Sequence, residues 1–414
     1  MADRVVLAYS GGLDSSVAIG RLREAAGKDV VALAVGVGQG GEDLRAIRQR
    51  ALDCGAVESV VVDAEDEFAD EHLVPALQAN ALHHGNDPLV SALSRPLIAA
   101  HLARAAKQFG ADSVAHGCTG RGDDQVRFEA AVAALAPGLS CLAPVRDLPV
   151  DRDEAVGFAR EHGLPVGESG TPSSVDQNVW GRTVQGGVLE DPWSAPTEDL
   201  YAYTQDPALP QDPDEVTLTF ERGVPVAIDG QRFSFLRVLQ ELNAVAGKHG
   251  VGRADLVQDR LVGVKTREVH EAPAAVTLVT AHRELEDLTV ERDVLRFKRT
   301  VESEWADLVH DGLWFGGLRR ALGAFVEDTQ QHVSGEVRVR LHGGRAVVTG
   351  RRSAQSLYDF ELASAATDQV GPDRSGADTG RPEARRTGGG AAAEGFAALW
   401  SLPGSIAARR DLAN

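Results

Sequence analysis

The sequence predicts an α/β protein, with an N-terminal doubly wound parallel-sheet domain followed by a separate α+β domain. Three observations carry this. Short apolar runs (VVLAY from Val5, VVALAV from Val30, SVVVDA from Ser59, SVAHG from Ser113) alternate with amphipathic stretches such as Arg95 to Gln108, the pattern of buried parallel strands flanked by helices. From about Glu215 the pattern changes to strand-like VTLTF and VPVAI, then to a helical stretch from Phe233 to Gly247. Finally, 414 residues exceed what one hydrophobic core normally serves.

The first apolar run leads directly into Ser10-Gly11-Gly12-Leu13-Asp14-Ser15-Ser16 and then a helical pattern. Glycines let the backbone turn sharply and approach a phosphate closely, while N–H groups at the following helix start face the anion. The hydroxyls of Ser10, Ser15 and Ser16 add donors. No Gly-Lys-Ser/Thr ending follows, so this is not the loop that delivers lysine to the β- and γ-phosphates. The fourth run leads into AHGCTGRGDDQVRFE, Ala115 to Glu129. Residues Gly167 to Pro196, rich in Gly, Ser, Asp and Pro, read as an irregular domain junction carrying functional loops. Glu336 to Gly350 reads as a hairpin turning at His342, Gly343 and Gly344. Residues 372–393 form a polar, Gly-rich stretch expected to be a mobile insertion, and the EGFAALWSLPGSIAARR that follows suits a docking arm. The expected domains are therefore 1–165, 166–366 and 367–414.

Composition excludes several classes of function. A formal charge of -19 opposes general attraction to a nucleic-acid backbone, which favours small-molecule substrates. No apolar run approaches the roughly 18 residues of a membrane span. The chain enters a strand-like run at Val5 without a basic leader, so a cytoplasmic location is the expectation. Cys54, Cys118 and Cys141 are too few and too scattered for a disulfide framework or zinc cluster. His83 and His84 are adjacent, with no Cys or carboxylate spacing to complete a metal site, and are expected in a solvated loop; no metal ligand is assigned to a protein side chain.

The Ser-Gly-Gly-x-Asp-Ser loop resembles the pyrophosphate-loop ATPases, and the rest of the chain sharpens that likeness. SGGLDSS, PLVSALSRPLIA, AHGCTGRGDDQVRFE, SSVDQNVWGRTVQGGVLEDPW, GVGRADLVQDRLVGVKTREVHEAP, DGLWF and RRSAQSLYD resemble, in order, the argininosuccinate synthase family. The resemblance implies an adenine nucleotide alpha hydrolase-like fold for the first domain, and ATP and Mg2+ as cofactors. The implied reaction is a two-step ligation. A ureido oxygen of citrulline attacks the α-phosphate of ATP, and aspartate's amine then displaces AMP. It further implies a homotetramer held partly by the C-terminal arm.

By the same resemblance, Ala8, Tyr9, Ser10, Gly11, Gly12, Leu13, Asp14, Ser15 and Ser16 fall on the ATP loop, and Gly117 on a second nucleotide contact. Thr119, Asp123 and Asp124 fall on aspartate contacts. Asp87, Ser91, Arg95, Asp123, Arg127, Ser174, Thr183, Gln258 and His270 fall on the acceptor side. Ser10, Asp14, Ser15, Asp124 and Arg127 are the residues expected to carry catalysis. Departures from the family cluster on the acceptor side. Asp87 stands where the family has Tyr, Asp123 where it has Asn, Arg121 where it has Lys, Thr183 where it has Ser, Gln258 where it has Glu and His270 where it has Tyr. Asp87 and Asp123 are expected to disfavour citrulline's usual pose and to admit an acceptor with a cation. The acceptor is thus left open between citrulline and another carbonyl compound. A catalytically silent homologue is the remaining alternative.

Overall fold

The computed structural model describes residues 3–40, 43–120, 122–147, 157–158, 160–161, 173–358, 395–397 and 399–401. Arg121, the 372–393 insertion and most of the proposed arm lie outside them. Five strands, β1 (Arg4–Ala8), β2 (Asp29–Gly36), β3 (Glu58–Asp63), β4 (Ser113–His116) and β5 (Ser140–Leu142), form a wholly parallel sheet in the order β3-β2-β1-β4-β5. Both faces are buried. Val5, Leu7, Val30 and Ala32 pack against Ile19, Leu22 and Ile47 on one side, while Val6, Val31, Leu33 and Val114 join a larger core on the other. That two-sided burial is why these strands read as continuous apolar runs.

Among the described residues the helices of ten residues or more, numbered in chain order, are α1 (Leu13–Ala26), α2 (Leu44–Asp53), α3 (Val90–Phe109), α4 (Asp124–Leu135), α5 (Phe235–Lys248), α6 (Pro273–Thr289), α7 (Arg292–His310) and α8 (Gly317–Thr329). The order of the parallel strands reverses between β1 and β4, and loops at the carboxyl ends of strands flanking such a switch point form a ligand crevice.

The later part of the chain builds two antiparallel sheets. One contains β8 (Asp214–Glu221), β9 (Val224–Ile228), β10 (Gln231–Arg232), β13 (Gly335–His342) and β14 (Arg345–Arg352), in the order β10-β9-β8-β13-β14. The β13–β14 hairpin turns as the sequence predicts, with φ of 54° at Gly343 and 76° at Gly344, conformations open to glycine without strain. The other sheet contains β6 (Ser173–Asn178), β7 (Gly181–Gly186), β11 (Arg253–Asp259) and β12 (Lys265–Glu271), in the order β11-β12-β7-β6. Here the structure corrects the sequence reading. The stretch expected to be irregular contains the β6–β7 hairpin, whose polar cleft-facing side chains hide the apolar alternation of an ordinary strand.

Residues Met1–Tyr358 form one compact unit and Asp359–Asn414 a second. Within the first, a continuous apolar core runs from the parallel sheet under α3 (Leu93, Leu97, Leu102) to Val216, Leu218, Val337 and Val339 of the five-stranded antiparallel sheet. In the second unit, residues 395–397 and 399–401 are helical, and the Phe396 and Trp400 rings stack at 5.3 Å. Among the described residues no helix is long and apolar enough to cross a membrane. The expected solvated position of His83 is also corrected. Its side chain is buried, stacked at 4.0 Å on His84 and at 3.9 Å on His310.

Candidate active site

At the switch point, a cleft of about 720 Å3 opens between the parallel sheet and the β6–β7–β12–β11 sheet. Its nucleotide side is the β1–α1 turn. Gly11 has φ of 79°, and a Cβ there would lie 3.1 Å from Nη1 of Arg50 and 3.2 Å from Ile47. Arg50 in turn donates to the Gly11 carbonyl at 2.7 Å. Helix α1 begins after Gly12 with no side-chain cap, which leaves first-turn N–H groups for an anion. The second loop comes equally close, since a Cβ on Gly117 would lie 3.3 Å from Cα of Ser15. Glycine at 117 lets these two backbones meet without displacing Ser15. Replacing Gly11 with Ala is expected to cost about 1–2 kcal/mol of stability from backbone strain and to weaken nucleotide binding. Denaturant melts and a nucleotide titration check this, and an unchanged midpoint with unchanged affinity would sink the account.

The hydroxyls around the loop are already ordered. Ser15 Oγ donates to the Gly12 carbonyl at 3.1 Å and lies 3.0 Å from Ser10 Oγ. Behind the loop, the buried Tyr9 hydroxyl meets Ser16 Oγ at 2.9 Å, and burial pushes the phenol up to about 12. Ala8, Tyr9, Ser10, Asp14 and Ser15 line the cleft, whereas Gly11, Gly12, Leu13 and Ser16 do not. Ser16 therefore buttresses the loop through Tyr9. Asp14 stands at the cleft wall, where partial desolvation raises its carboxyl above the usual range.

The middle of the cleft is a charge relay set by α3 and α4. Asp124 accepts from Nε and Nη2 of Arg95 at 3.0 and 2.7 Å, and from Nη1 of Arg127 at 2.9 Å. Burial opposes its ionisation, but the two guanidiniums outweigh that and hold it well below the ordinary carboxylate range. Arg127 also donates through Nε to the His310 carbonyl at 2.9 Å. Arg95 extends the relay to Asp176, which accepts from Ser91 Oγ at 2.5 Å.

The far end is one face of the β6–β7–β12 ladder. Register pairs Asp176 with Thr183 and Thr183 with His270; one step along, Ser174 pairs with Gln185 and Gln185 with Glu268. Thr183 Oγ1 lies 3.0 Å from Nδ1 of His270, and Gln258 Nε2 lies 3.4 Å from its Nε2. Arg260 donates to both Gln185 and Glu268 and, through Nε, to Thr266 at 2.9 Å. Burial keeps the Glu268 carboxyl above its usual range even so.

Asp123 and Asp87 behave differently. Asp123 is buried; its Oδ1 accepts the Leu261 amide at 2.9 Å, and its Oδ2 lies 3.8 Å from Arg260, 3.8 Å from Arg127 and 3.9 Å from His310. Asp123 thus has guanidinium and imidazole groups of the protein close to it. Asp87 Oδ1 accepts the amide of Leu89, which enters α3 with φ of 60°. Its other ionisable neighbours are imidazoles, His270 at 3.8 Å and His83 at 3.9 Å. Burial works against the Asp87 charge, but the nearby His270, the Leu89 amide and Gln258 hold its pKa below the ordinary value.

The cleft lining includes Gly117, Thr119 and every acceptor-side residue expected from the sequence: Asp87, Ser91, Arg95, Asp123, Arg127, Ser174, Thr183, Gln258 and His270. It also includes Asp176, Gln185, Arg260 and Glu268, which sequence reasoning missed. Each of these lies two residues from a position already singled out: 174 and 176, 183 and 185, 258 and 260, 268 and 270. Strand periodicity would have found them, had those segments been read as strands.

Residues 4–165 match the family model described as the arginosuccinate synthase N-terminal HUP domain, and residues 173–376 the one described as the arginosuccinate synthase C-terminal domain. The chain belongs to the argininosuccinate synthase family. The two matches together span nearly the whole sequence, including both walls of the cleft, and this family is one of ATP-dependent ligases. Among solved structures, the chain is similar to the crystal structure of an NAD+ synthetase from Burkholderia pseudomallei, at 20% identity and a TM-score of 0.26. That alignment covers 40% of this chain and 61% of the synthetase, and the likeness is too slight to support an argument about function.

Proposed function

We propose that this protein is an AMP-forming C–N ligase that joins aspartate to a citrulline-like ureido or carbonyl acceptor at the expense of ATP. The acceptor oxygen attacks the α-phosphate with pyrophosphate leaving, and the aspartate amine then attacks the activated carbon with AMP leaving. The observation that supports this reading best is one cleft in which a glycine-built anion loop, the Arg95–Asp124–Arg127 relay and a polar strand face lie side by side. Bringing such groups together is the main demand of a reaction that relies on positioning and phosphate charge stabilisation.

Within this reading, Ser10, Ser15 and the start of α1 receive phosphate oxygens. Asp124 has three of its roughly four acceptor sites filled by arginines, leaving one to meet aspartate's ammonium. Asp14 and the nearby hydroxyls are oxygen donors of the kind magnesium accepts alongside phosphates, where the ion would neutralise phosphate charge. A homotetramer and a cytoplasmic location belong to the same reading, by family resemblance.

The test is pyrophosphate and AMP release by the full-length protein with ATP, magnesium, aspartate and a panel of ureido and amide acceptors. Release that requires both aspartate and an acceptor is the expected result. Repeated turnover to AMP without aspartate would assign a different nucleophile, and no pyrophosphate across the panel would favour a silent homologue.

A further inference from the structure

Beyond Asp14, the cleft is lined by five carboxylates (Asp87, Asp123, Asp124, Asp176 and Glu268) and three guanidiniums (Arg95, Arg127 and Arg260). All three guanidiniums are engaged by the protein: Arg95 by Asp124 and Asp176, Arg127 by Asp124 and the His310 carbonyl, Arg260 by Glu268 and Gln185. Four of the five carboxylates therefore have an arginine within ion-pair distance. Asp87 has none among the described residues. It is nevertheless buried at 6% exposure and lies on the cleft wall.

A buried, ionised carboxylate without a fixed cation is costly unless something supplies one. Among the described residues, the ionisable groups beside it that could carry positive charge are imidazoles. His83 is held neutral, its pKa lowered to about 4 by burial and by the His310 and His84 rings stacked on it. His270 lies between Asp87 and Glu268, 3.8 Å from one and 3.6 Å from the other, and Thr183 and Gln258 meet its two ring nitrogens. A ligand carboxylate entering this end would meet Asp87 and Glu268 with no uncommitted arginine among the described residues to receive it. A ligand ammonium would meet the one of these carboxylates that has no arginine or lysine beside it among the described residues.

On the reading of the cleft as a ligase site, we propose that the natural acceptor is a ureido or amide compound whose far end is a primary ammonium without an adjacent carboxylate, received by Asp87. Its simplest representative is N-carbamoyl-1,4-diaminobutane, which is citrulline without its α-carboxylate. Asp87 is then the specificity-determining residue. It selects by charge at the far end while the reacting ureido group stays common to both compounds.

The test is calorimetric titration of the full-length protein, saturated with a non-hydrolysable ATP analogue, with N-carbamoyl-1,4-diaminobutane, citrulline and the neutral control n-butylurea. The diamine derivative is expected to bind at least about tenfold tighter than either of the others, the scale of one charge-assisted hydrogen bond. Asp87→Asn keeps an oxygen for the Leu89 amide but removes the charge. It is expected to weaken the diamine derivative about tenfold and leave n-butylurea unchanged. Citrulline or n-butylurea binding as tightly as the diamine derivative overturns the proposal, as does an Asp87→Asn variant with the parent preference. If the nucleotide analogue binds and none of the three compounds does, the acceptor assignment fails while the ligase reading stands. Failure of the nucleotide analogue to bind removes the ligase reading and this proposal with it.

Discussion

Asp124→Asn is expected to lower kcat/KM for aspartate by about 100- to 1000-fold, the range for removing a positioned charged group from a reacting centre, while ATP affinity changes little. Asp124 sits between Arg95 and Arg127, and three hydrogen bonds from their guanidiniums fill most of its acceptor capacity. An asparagine at this position has the same shape but turns an N–H pair toward one of those arginines. It leaves two partly buried positive charges without their shared counter-ion and removes the group that would receive aspartate's ammonium. The two effects separate in measurement. A purely structural loss would lower the denaturation midpoint and raise the KM for every substrate together, whereas the proposed role raises the aspartate KM and lowers kcat while nucleotide titrations stay near the parent value. Activity within tenfold of the parent would refute the assignment of Asp124.

The largest expected effect on stability lies away from the cleft. Lys298 is fully buried, its Nζ 2.9 Å from Glu286 and 2.8 Å from Glu302. Asn80 donates to both carboxylates, at 2.6 and 2.8 Å, and also meets His282 at 2.7 Å, while Gln330 donates to Glu286 at 2.8 Å. This network ties the segment before α3 to α6, α7 and the turn after α8. Lys298→Met removes the buried cation between the two carboxylates and leaves only the half-exposed Arg283, 3.9 Å from Glu302, near them, a change that typically costs about 3–5 kcal/mol. Urea denaturation should show the loss. Adding Glu286→Gln and Glu302→Gln to Lys298→Met should recover much of it, because the remaining groups are then neutral and can still hydrogen-bond. A Lys298→Met variant as stable as the parent would mean that the cluster relaxes or admits water.

How much of the site was legible depended on whether its signal was local. The nucleotide loop is a contiguous stretch whose residue types follow from its job: glycines where a Cβ would strike Arg50, Ile47 or Ser15, and hydroxyls where a phosphate needs donors. It could be read directly. Asp176, Gln185 and Glu268 could not, because each enters the cleft through strand alternation and cross-strand register, and their strands carry polar residues on the cleft side; Arg260, just past the end of β11, reaches the cleft the same way. His83 failed in the opposite direction. Two adjacent histidines between turn residues read as solvated, yet one is buried by stacking on His310, more than two hundred positions along the chain.

The sequence by itself determined the AYSGGLDSS turn, the parallel α/β domain around it and membership of the argininosuccinate synthase family. Strand burial, glycine placement and contiguous motifs are written in local residue order. Only the tertiary structure decided which charges already have partners. Asp87 and Asp123 look alike in sequence, two aspartates on the acceptor side, and both end up buried. Their difference comes from long-range packing, which brings Arg260, Arg127 and the Leu261 amide to Asp123 but only imidazoles, Gln258 and a neighbouring backbone amide to Asp87. The meaning of a buried charge depends on the groups that other parts of the chain fold against it, and local sequence does not specify those.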